Sequence, residues 1–313
     1  MKNASNHERL RGWFQLIRLP LLFTVPADPL TGFLFAGGLV QGSQGYARVA
    51  TVCFISFAMS LFGIITNDLA DIQIDMTDHP DRPLPRGVVS PRAASYTAQL
   101  CFLAAVIPSF CLGWRFSFVT LVALISIYSY NFYVKYRPKR ASVMMAVMRD
   151  LMFGLGILIV PGISIPRILM LVAYGVGLFL YYCGLNEITR SETLSKIVRP
   201  GGGKMLAGAC FCAVVPLVFT VKLFRDSSML LPILFGLLAV LLCAVYLLIA
   251  LWVYQVSRTG ASPARVQMAV QVSFRAALMV QAAATASCGL VVLPLVLLLC
   301  LVCSALAEKY SFS

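Results

Sequence analysis

Residues 66–87 read TNDLADIQIDMTDHPDRPLPRG and directly follow an apolar run that is long enough to cross a membrane. Within this stretch Asp68, Asp71 and Asp75 fall within about 60° of one another on a helix, and Asn67 widens that face to about 100°. Five of the twelve acidic residues of the chain lie between positions 68 and 81. Unpaired carboxylates this close together repel one another strongly, so the face requires cations.

The ligand atoms on this face are all oxygens, which favour a hard divalent cation such as Mg²⁺. Mg²⁺ is usually held by one or two carboxylates together with phosphates of the substrate. Arg82 and Arg86 follow immediately and are suited to phosphate oxygens. The pattern therefore predicts a Mg²⁺ and phosphate site whose metal ligands are Asn67, Asp68, Asp71 and Asp75. The alternative is a solvated acidic loop beside basic loops.

Composition places this stretch in a membrane protein. Of the 313 residues, 60% are hydrophobic and only 12% are charged, whereas soluble domains are usually about 45–50% apolar. These values exclude a soluble globular enzyme and a disordered chain. We predict an all-α polytopic membrane protein with one membrane domain over residues 1–313. Nine segments have the required length: about 17–40, 49–66, 94–112, 117–134, 143–163, 167–185, 205–224, 229–256 and 284–306.

The distribution of basic residues predicts the orientation. With nine spans, the side of the N-terminus carries 18 Lys and Arg residues and the opposite side carries six, while Arg149 lies inside the fifth span. The positive-inside rule then places the N-terminus in the cytoplasm and the C-terminus outside. The more polar stretch 262–282 is amphipathic, and we predict an interfacial helix there that leads into the ninth span.

At this point the motifs resemble a known family. NDxxDxxxD followed by DRPLPRG is similar to the first signature of the UbiA family of intramembrane prenyltransferases. The segment from Tyr128 to Asp150, which begins YSYNFYVKYRPKR and ends MRD, resembles the Tyr–Ser…Lys…Arg stretch of that family. The openings RLPLLFTVPADPLTG and MRDLMFGLG are more similar to the EboC-like branch than to the ubiquinone or menaquinone enzymes.

The resemblance implies nine helices around a central cavity that is capped on the cytoplasmic side. It also implies two facing acidic motifs that hold Mg²⁺ and an isoprenyl diphosphate. The diphosphate leaves, and the allylic cation alkylates a hydrophobic acceptor, usually aromatic, within the membrane. The expected partners are thus an isoprenyl diphosphate, an aromatic or lipid-like acceptor and the lipid bilayer, with no nucleic acid.

The second acidic motif departs from the family pattern. Residues 181–204 read YYCGLNEITRSETLSKIVRPGGGK, with no Asp. Asn186 and Glu187 lie closest to the membrane end and are the preferred substrate ligands, with Glu187 also a metal ligand. Glu192 would lie about 140° away from Glu187 on a helix. Ordinary loop carboxylates paired to Arg190 or Lys196 remain the alternative. The missing aspartates also leave open a non-catalytic isoprenoid or lipid carrier on the same scaffold.

Three further positions carry polar side chains inside apolar segments. Tyr128, Asn131 and Lys135 share the spacing of one helix face, and we expect the first two to bind substrate. Lys135 is expected to reach the diphosphate; the alternative is a lysine that extends to the membrane surface.

Charges inside a membrane span usually face a polar cavity. Arg149, next to Asp150, is therefore expected to face either the diphosphate or a cavity carboxylate. With Asp68, Asp71 and Lys135 it completes the predicted catalytic set. Asp28 lies between Pro26 and Pro29, where helical hydrogen bonds are broken, so it either binds the acceptor or caps the freed backbone N–H groups.

Overall fold

The computed structural model describes residues 6–18, 22, 24–38, 42–190, 201–226, 229–259, 261–288 and 292–311. These residues form helices joined by turns, and no strand occurs among them. The all-α prediction is therefore confirmed.

The described helices follow one another along the chain. In order they are α1 (Asn6–Leu16), α2 (Ala27–Phe35), α3 (Gly42–Asp78), α4 (Pro91–Cys111), α5 (Trp114–Ser129), α6 (Pro138–Leu158), α7 (Ile165–Arg190), α8 (Gly202–Asp226), α9 (Leu230–Arg258), α10 (Pro263–Ser287) and α11 (Val292–Ser311). A π-helical turn, Tyr130–Val134, continues α5 toward α6.

Seven of the described helices, α3 to α9, are long and apolar enough to cross a membrane. They coincide with the second to eighth predicted spans. The chain is therefore a multi-pass integral membrane protein, while the predicted total of nine spans is not confirmed.

The first predicted span is interrupted. Arg18, two residues beyond α1, adopts a positive φ of 49°, and α2 begins only after Pro26. Proline lacks a backbone N–H and clashes with the preceding turn, so this proline-rich stretch does not sustain one continuous helix. The nine residues of α2 extend only about 14 Å, which is less than half the hydrocarbon thickness of about 30 Å.

The structure also corrects the prediction for residues 262–282. These residues belong to α10, which has fifteen buried residues and packs against α9, α8, α2 and α7. It is a helix of the bundle interior because its second half is a run of small side chains, which allow neighbouring backbones to approach closely. Residues 284–287, predicted to open the ninth span, are the end of α10, and α11 begins only at Val292.

The close contact between α2 and α6 fixes the position of α2 in the bundle. A methyl group on Gly32 would overlap the carbonyl oxygen of Phe153, and one on Gly156 would overlap the carbonyl oxygen of Pro29. The two backbones therefore touch directly, as small residues permit in membrane helices.

We predict that Gly156→Ala lowers the free energy of unfolding by about 1–3 kcal/mol, the usual cost of overpacking. Gly154→Ala is the matched control, because no atom lies within 4 Å of a Cβ built on that residue. Thermal unfolding of the two variants in detergent, followed by size-exclusion fluorescence, measures the difference. Equal midpoints for both variants would contradict the close contact.

Candidate active site

The acidic face lies on α3, which continues without a break as far as Asp78. Its 37 residues extend about 55 Å, so its last turns pass beyond the hydrocarbon layer. Asp68 and Asp75 are buried, and Asp71 keeps 20% of its side-chain surface accessible. The helical arrangement predicted for this face is confirmed.

Each of the three carboxylates forms an ion pair with a cation from a different segment of the chain. The nitrogen–oxygen distances are 2.7 Å for Arg18–Asp68, 2.6 Å for Lys135–Asp71 and 2.6 Å for Arg82–Asp75. Three counter-charges thus relieve the repulsion that the sequence pattern implies.

Lys135 is held in place by the π-helical turn and by the end of α7. Its Nζ lies 3.5 Å from the Oδ1 of Asn67, in addition to its pairing with Asp71. Arg190 donates from Nη1 to the carbonyl oxygen of Lys135 at 2.7 Å and from Nη2 to the hydroxyl of Tyr130 at 3.3 Å. A single-turn π-helix is often found at functional sites, and here its C-cap is the lysine that contacts the acidic face.

Tyr136 is a further contact of the acidic face. Its hydroxyl donates to Oδ1 of Asp71 at 3.3 Å. Burial and the Asp71 carboxylate both raise the pKa of this phenol above its ordinary value. Sequence reasoning missed the contacts of Tyr136 and Arg18 with the face, because both reach it from turns that no periodic pattern marks. It also missed the contact of Arg190 with Lys135, which joins segments distant in sequence.

Two predicted substrate ligands lie elsewhere. Asn131 donates to the carbonyl oxygen of Gly63 at 2.9 Å and to the hydroxyl of Thr66 at 2.7 Å, so it joins α5 to α3. Tyr128 is 45% exposed and borders an apolar groove of about 480 Å³ between α3, α4 and α5.

Tyr128 therefore does not share a helix face with Lys135, contrary to what the spacing predicts, while its role as a substrate ligand stays a prediction. The π-helical turn follows Tyr128 and changes the register of the helix before Lys135. A simple seven-residue spacing therefore does not bring the two side chains to one face. Arg86 is exposed, and its backbone N–H donates to the carbonyl oxygen of Arg82 at 3.0 Å.

The predicted second motif lies at the C-terminal end of α7. Asn186 donates to the hydroxyl of Ser142 at 3.4 Å, and Glu187 forms an ion pair with Lys204 of α8 at 2.6 Å. Among the described residues the ion-pair partner of Glu187 is thus Lys204 and not Arg190, one of the two considered from sequence. Glu192 and Lys196 lie outside the described residues.

Arg149 pairs with a carboxylate deep in the bundle. Its Nη1 lies 2.8 Å from Oδ2 of Asp28, and its guanidinium lies over the ring of Tyr182 at 4.8 Å. The side-chain amide of Gln281 donates to the other oxygen of Asp28. Of the two partners left open by the sequence, the structure brings Arg149 to the cavity carboxylate.

Comparison with known proteins identifies the family. Residues 29–192, slightly more than half of the chain, match the model of the UbiA prenyltransferase family. The chain belongs to the UbiA prenyltransferase family.

Relatives of this UbiA-family chain include archaeal proteins named digeranylgeranylglyceryl phosphate synthase. The protein from Natronomonas pharaonis is 31% identical over 150 residues, which is 48% of this chain and 52% of that protein. The protein from Methanococcus aeolicus is 29% identical over 169 residues, 53% of this chain and 58% of the relative. The chain thus spans little more than half the length of the curated relatives it matches.

Solved structures of UbiA homologues share the fold. The apo structure from Aeropyrum pernix K1 superposes with a TM-score of 0.63 at 14% identity, covering 84% of this chain and 96% of that one. The Archaeoglobus fulgidus homologue bound to GPP and Mg²⁺ superposes with a TM-score of 0.56 at 14% identity, covering 89% and 100%. Membership of the EboC-like branch stays a prediction.

The acidic face of this UbiA-family chain fits Mg²⁺ by the chemistry of its ligand atoms. Asn67, Asp68 and Asp71 present carboxylate and amide oxygens, which this ion prefers. Within the described residues no group of three or more Asp, Glu, His or Cys side chains converges as a preformed metal cluster. A site completed by substrate phosphates needs only one or two protein carboxylates, so the donor set present is sufficient.

We predict that Lys135→Met lowers the free energy of unfolding by about 3 kcal/mol, because it leaves the largely buried Asp71 without its counter-charge. Arg82→Met should have a comparable cost, because it leaves Asp75, which is more buried than Asp71, without its counter-charge. Thermal unfolding in detergent compares the two variants.

The double variant Lys135→Met with Asp71→Leu should recover most of the lost stability, since it removes both charges. If the single and double variants unfold at the same temperature, the Lys135–Asp71 pair does not stabilise the bundle.

Proposed function

We propose that this chain is a Mg²⁺-dependent prenyltransferase that moves an isoprenyl group from an allylic diphosphate to an aromatic or lipid-like acceptor within the membrane. The observation that carries the proposal is the set of three carboxylates on α3, each opposed by a cation from another segment. Such a set can exchange its ion pairs for a metal diphosphate, because the metal offers a partner to carboxylates and the phosphates offer partners to the cations.

Binding of the donor requires the three ion pairs to open. Phosphate oxygens attract Arg18, Arg82 and Lys135 because charge-assisted bonds to phosphate are strong. As these cations turn to the diphosphate, the oxygens of Asp68 and Asp71 become available to the metal. Arg190 keeps the backbone of Lys135 in place during this exchange.

The reaction places its negative charge on the leaving group. When bound, Mg²⁺ supplies Lewis-acid stabilisation of the departing diphosphate. The bond between the allylic carbon and the diphosphate oxygen breaks, and both electrons remain with the oxygen. Lys135, Arg18 and Arg82 stabilise that charge as cations beside the diphosphate. An electron pair of the acceptor then forms the bond to the allylic carbon, and the acceptor loses a proton to water.

Family relatives support this assignment. Several are named digeranylgeranylglyceryl phosphate synthase, and structural neighbours were solved with GPP or DMAPP together with Mg²⁺. Those names and ligands belong to the relatives. For this chain they favour an allylic diphosphate donor and leave its acceptor to be determined.

We also propose that the acidic face opens to the cytoplasm and that the N-terminus lies there, because the basic residues concentrate on that side. A positively charged side draws a polyanionic donor to the mouth of the site. The outside position of the C-terminus stays a prediction.

Asp68→Ala and Asp71→Ala should each abolish Mg²⁺-dependent release of diphosphate from geranyl diphosphate, because each removes a metal ligand. Asp78→Ala is the matched control, since it removes the same charge from an exposed position at the end of α3. Release is measured in membranes with Mg²⁺ and with EDTA. Activity close to that of the wild type in both site variants would contradict the assignment. A wild type that binds the donor and never releases diphosphate would favour the carrier.

Glu187→Gln should reduce donor affinity or turnover at least roughly tenfold, equivalent to about 1.4 kcal/mol, and Glu192→Gln should do less. Glu187 is proposed as the counter-ligand of the donor opposite α3, and its release from Lys204 would accompany binding. Titration of donor binding and turnover against Mg²⁺ measures both variants. If neither changes while Asp68→Ala is inactive, the second motif does not bind metal.

A further inference from the structure

A second polar centre lies among the helices, away from the acidic face. It joins α2, α6 and α10 through Asp28, Arg149 and Gln281. The Asp28 side chain is completely buried, whereas Arg149 retains 23% of its side-chain surface accessible. Because Arg149 lies in the middle of α6, this accessible surface lies at membrane depth and not at an end of the bundle.

Several polar atoms around Asp28 have no hydrogen-bond partner in the described part of the chain. They are Oδ1 of Asp150, the hydroxyl of Tyr174 and Oε1 of Gln281, all of them buried. Asp150 and Tyr174 both lie within electrostatic range of Asp28. Unpaired buried polar groups are costly, particularly inside a membrane. Three such atoms in one place therefore indicate that a polar ligand or ordered water binds there.

This centre carries no excess positive charge. Asp28 neutralises Arg149, and Asp150 contributes a second carboxyl group rather than a second cation. An anionic group entering here would meet no net positive charge. The available atoms are instead the remaining N–H groups of Arg149, two acceptor oxygens and the Tyr174 hydroxyl, which suit a neutral ligand with hydroxyl or carbonyl groups.

The position of the centre relates it to the proposed reaction. Arg149 lies seven residues after Ser142 on α6, about 10 Å deeper than the contact of Ser142 with Asn186. A molecule held there lies in the membrane interior, below the level of the acidic face. This is the direction from which an acceptor dissolved in lipid would approach a donor held at that face.

We propose that Asp28, Arg149, Asp150 and Gln281 form the head-group site of the prenyl acceptor, and that this site selects a neutral hydroxyl-bearing acceptor over an anionic one. The proposal rests on the proposed function and adds to it the chemical class of the acceptor. Arg149 and Gln281 bind the head group directly, while Asp28 sets the charge of the site by neutralising Arg149.

Two acceptors that differ by one phosphate group test the selection. Geranylgeranylglycerol is the neutral probe, and geranylgeranylglyceryl phosphate is its anionic counterpart. Equilibrium binding to the purified full-length protein in detergent, and turnover with geranyl diphosphate and Mg²⁺, are measured for each. We expect the wild type to bind and use the neutral probe at least tenfold better.

Asp28→Asn should reverse the preference, because it leaves the Arg149 charge unbalanced. We expect at least a tenfold gain in binding of the phosphate probe and a loss with the neutral one. The double variant Asp28→Asn with Arg149→Gln is the matched control, since it lacks the guanidinium and should not gain phosphate binding. If these residues served only packing or ordered water, Asp28→Asn would change the binding of both probes by the same factor.

Any one of three results would overturn the head-group site. They are equal binding of the two probes by the wild type, binding of neither probe, and a change in Asp28→Asn that alters the binding of both probes by the same factor. The wild-type comparison decides the question even if a variant does not fold. The proposed function has a separate readout: it fails if no diphosphate is released with either probe, whereas probe binding still tests the head-group site.

Discussion

The structure depends on the mutual repulsion of three carboxylates on one face of α3. Asp68, Asp71 and Asp75 share that face, and each would be costly without a counter-charge. The cations come from the turn after α1, from the π-helical turn after α5 and from the loop after α3. The segments around the site are thus held at one end of the bundle by the charge of a single helix.

The same arrangement explains why this end suits a diphosphate. A diphosphate and a divalent cation carry charges of both signs, so together they offer new partners to both members of an ion pair. Carboxylates can pass to the metal and the cations to the phosphates. The exchange therefore costs less free energy than burial of a new charge with no opposite charge beside it.

Sequence alone predicted the parts of this site that follow a helical period. The acidic face was predictable because α3 continues through it, and the proximity of Lys135 followed from its position at the end of an apolar run. Tyr128 was misplaced because a π-helical turn changes the register before Lys135, and hydrophobic periodicity does not reveal such a turn. The roles of Arg18 and Arg190 depend on tertiary contacts between segments distant in sequence. The burial of α10 was missed because small residues carry a weak hydropathy signal while packing closely.

The most direct test is an experimental structure with Mg²⁺ and geranyl thiolodiphosphate, a donor analogue that reacts slowly. The diphosphate is expected between α3 and the three cations, with the metal on Asp68 and Asp71. The Nζ of Lys135 should have moved from Asp71 to a phosphate oxygen. A diphosphate bound at another place, or bound at the acidic face with all three ion pairs intact and no metal, would contradict the exchange of ion pairs on which the proposed function rests.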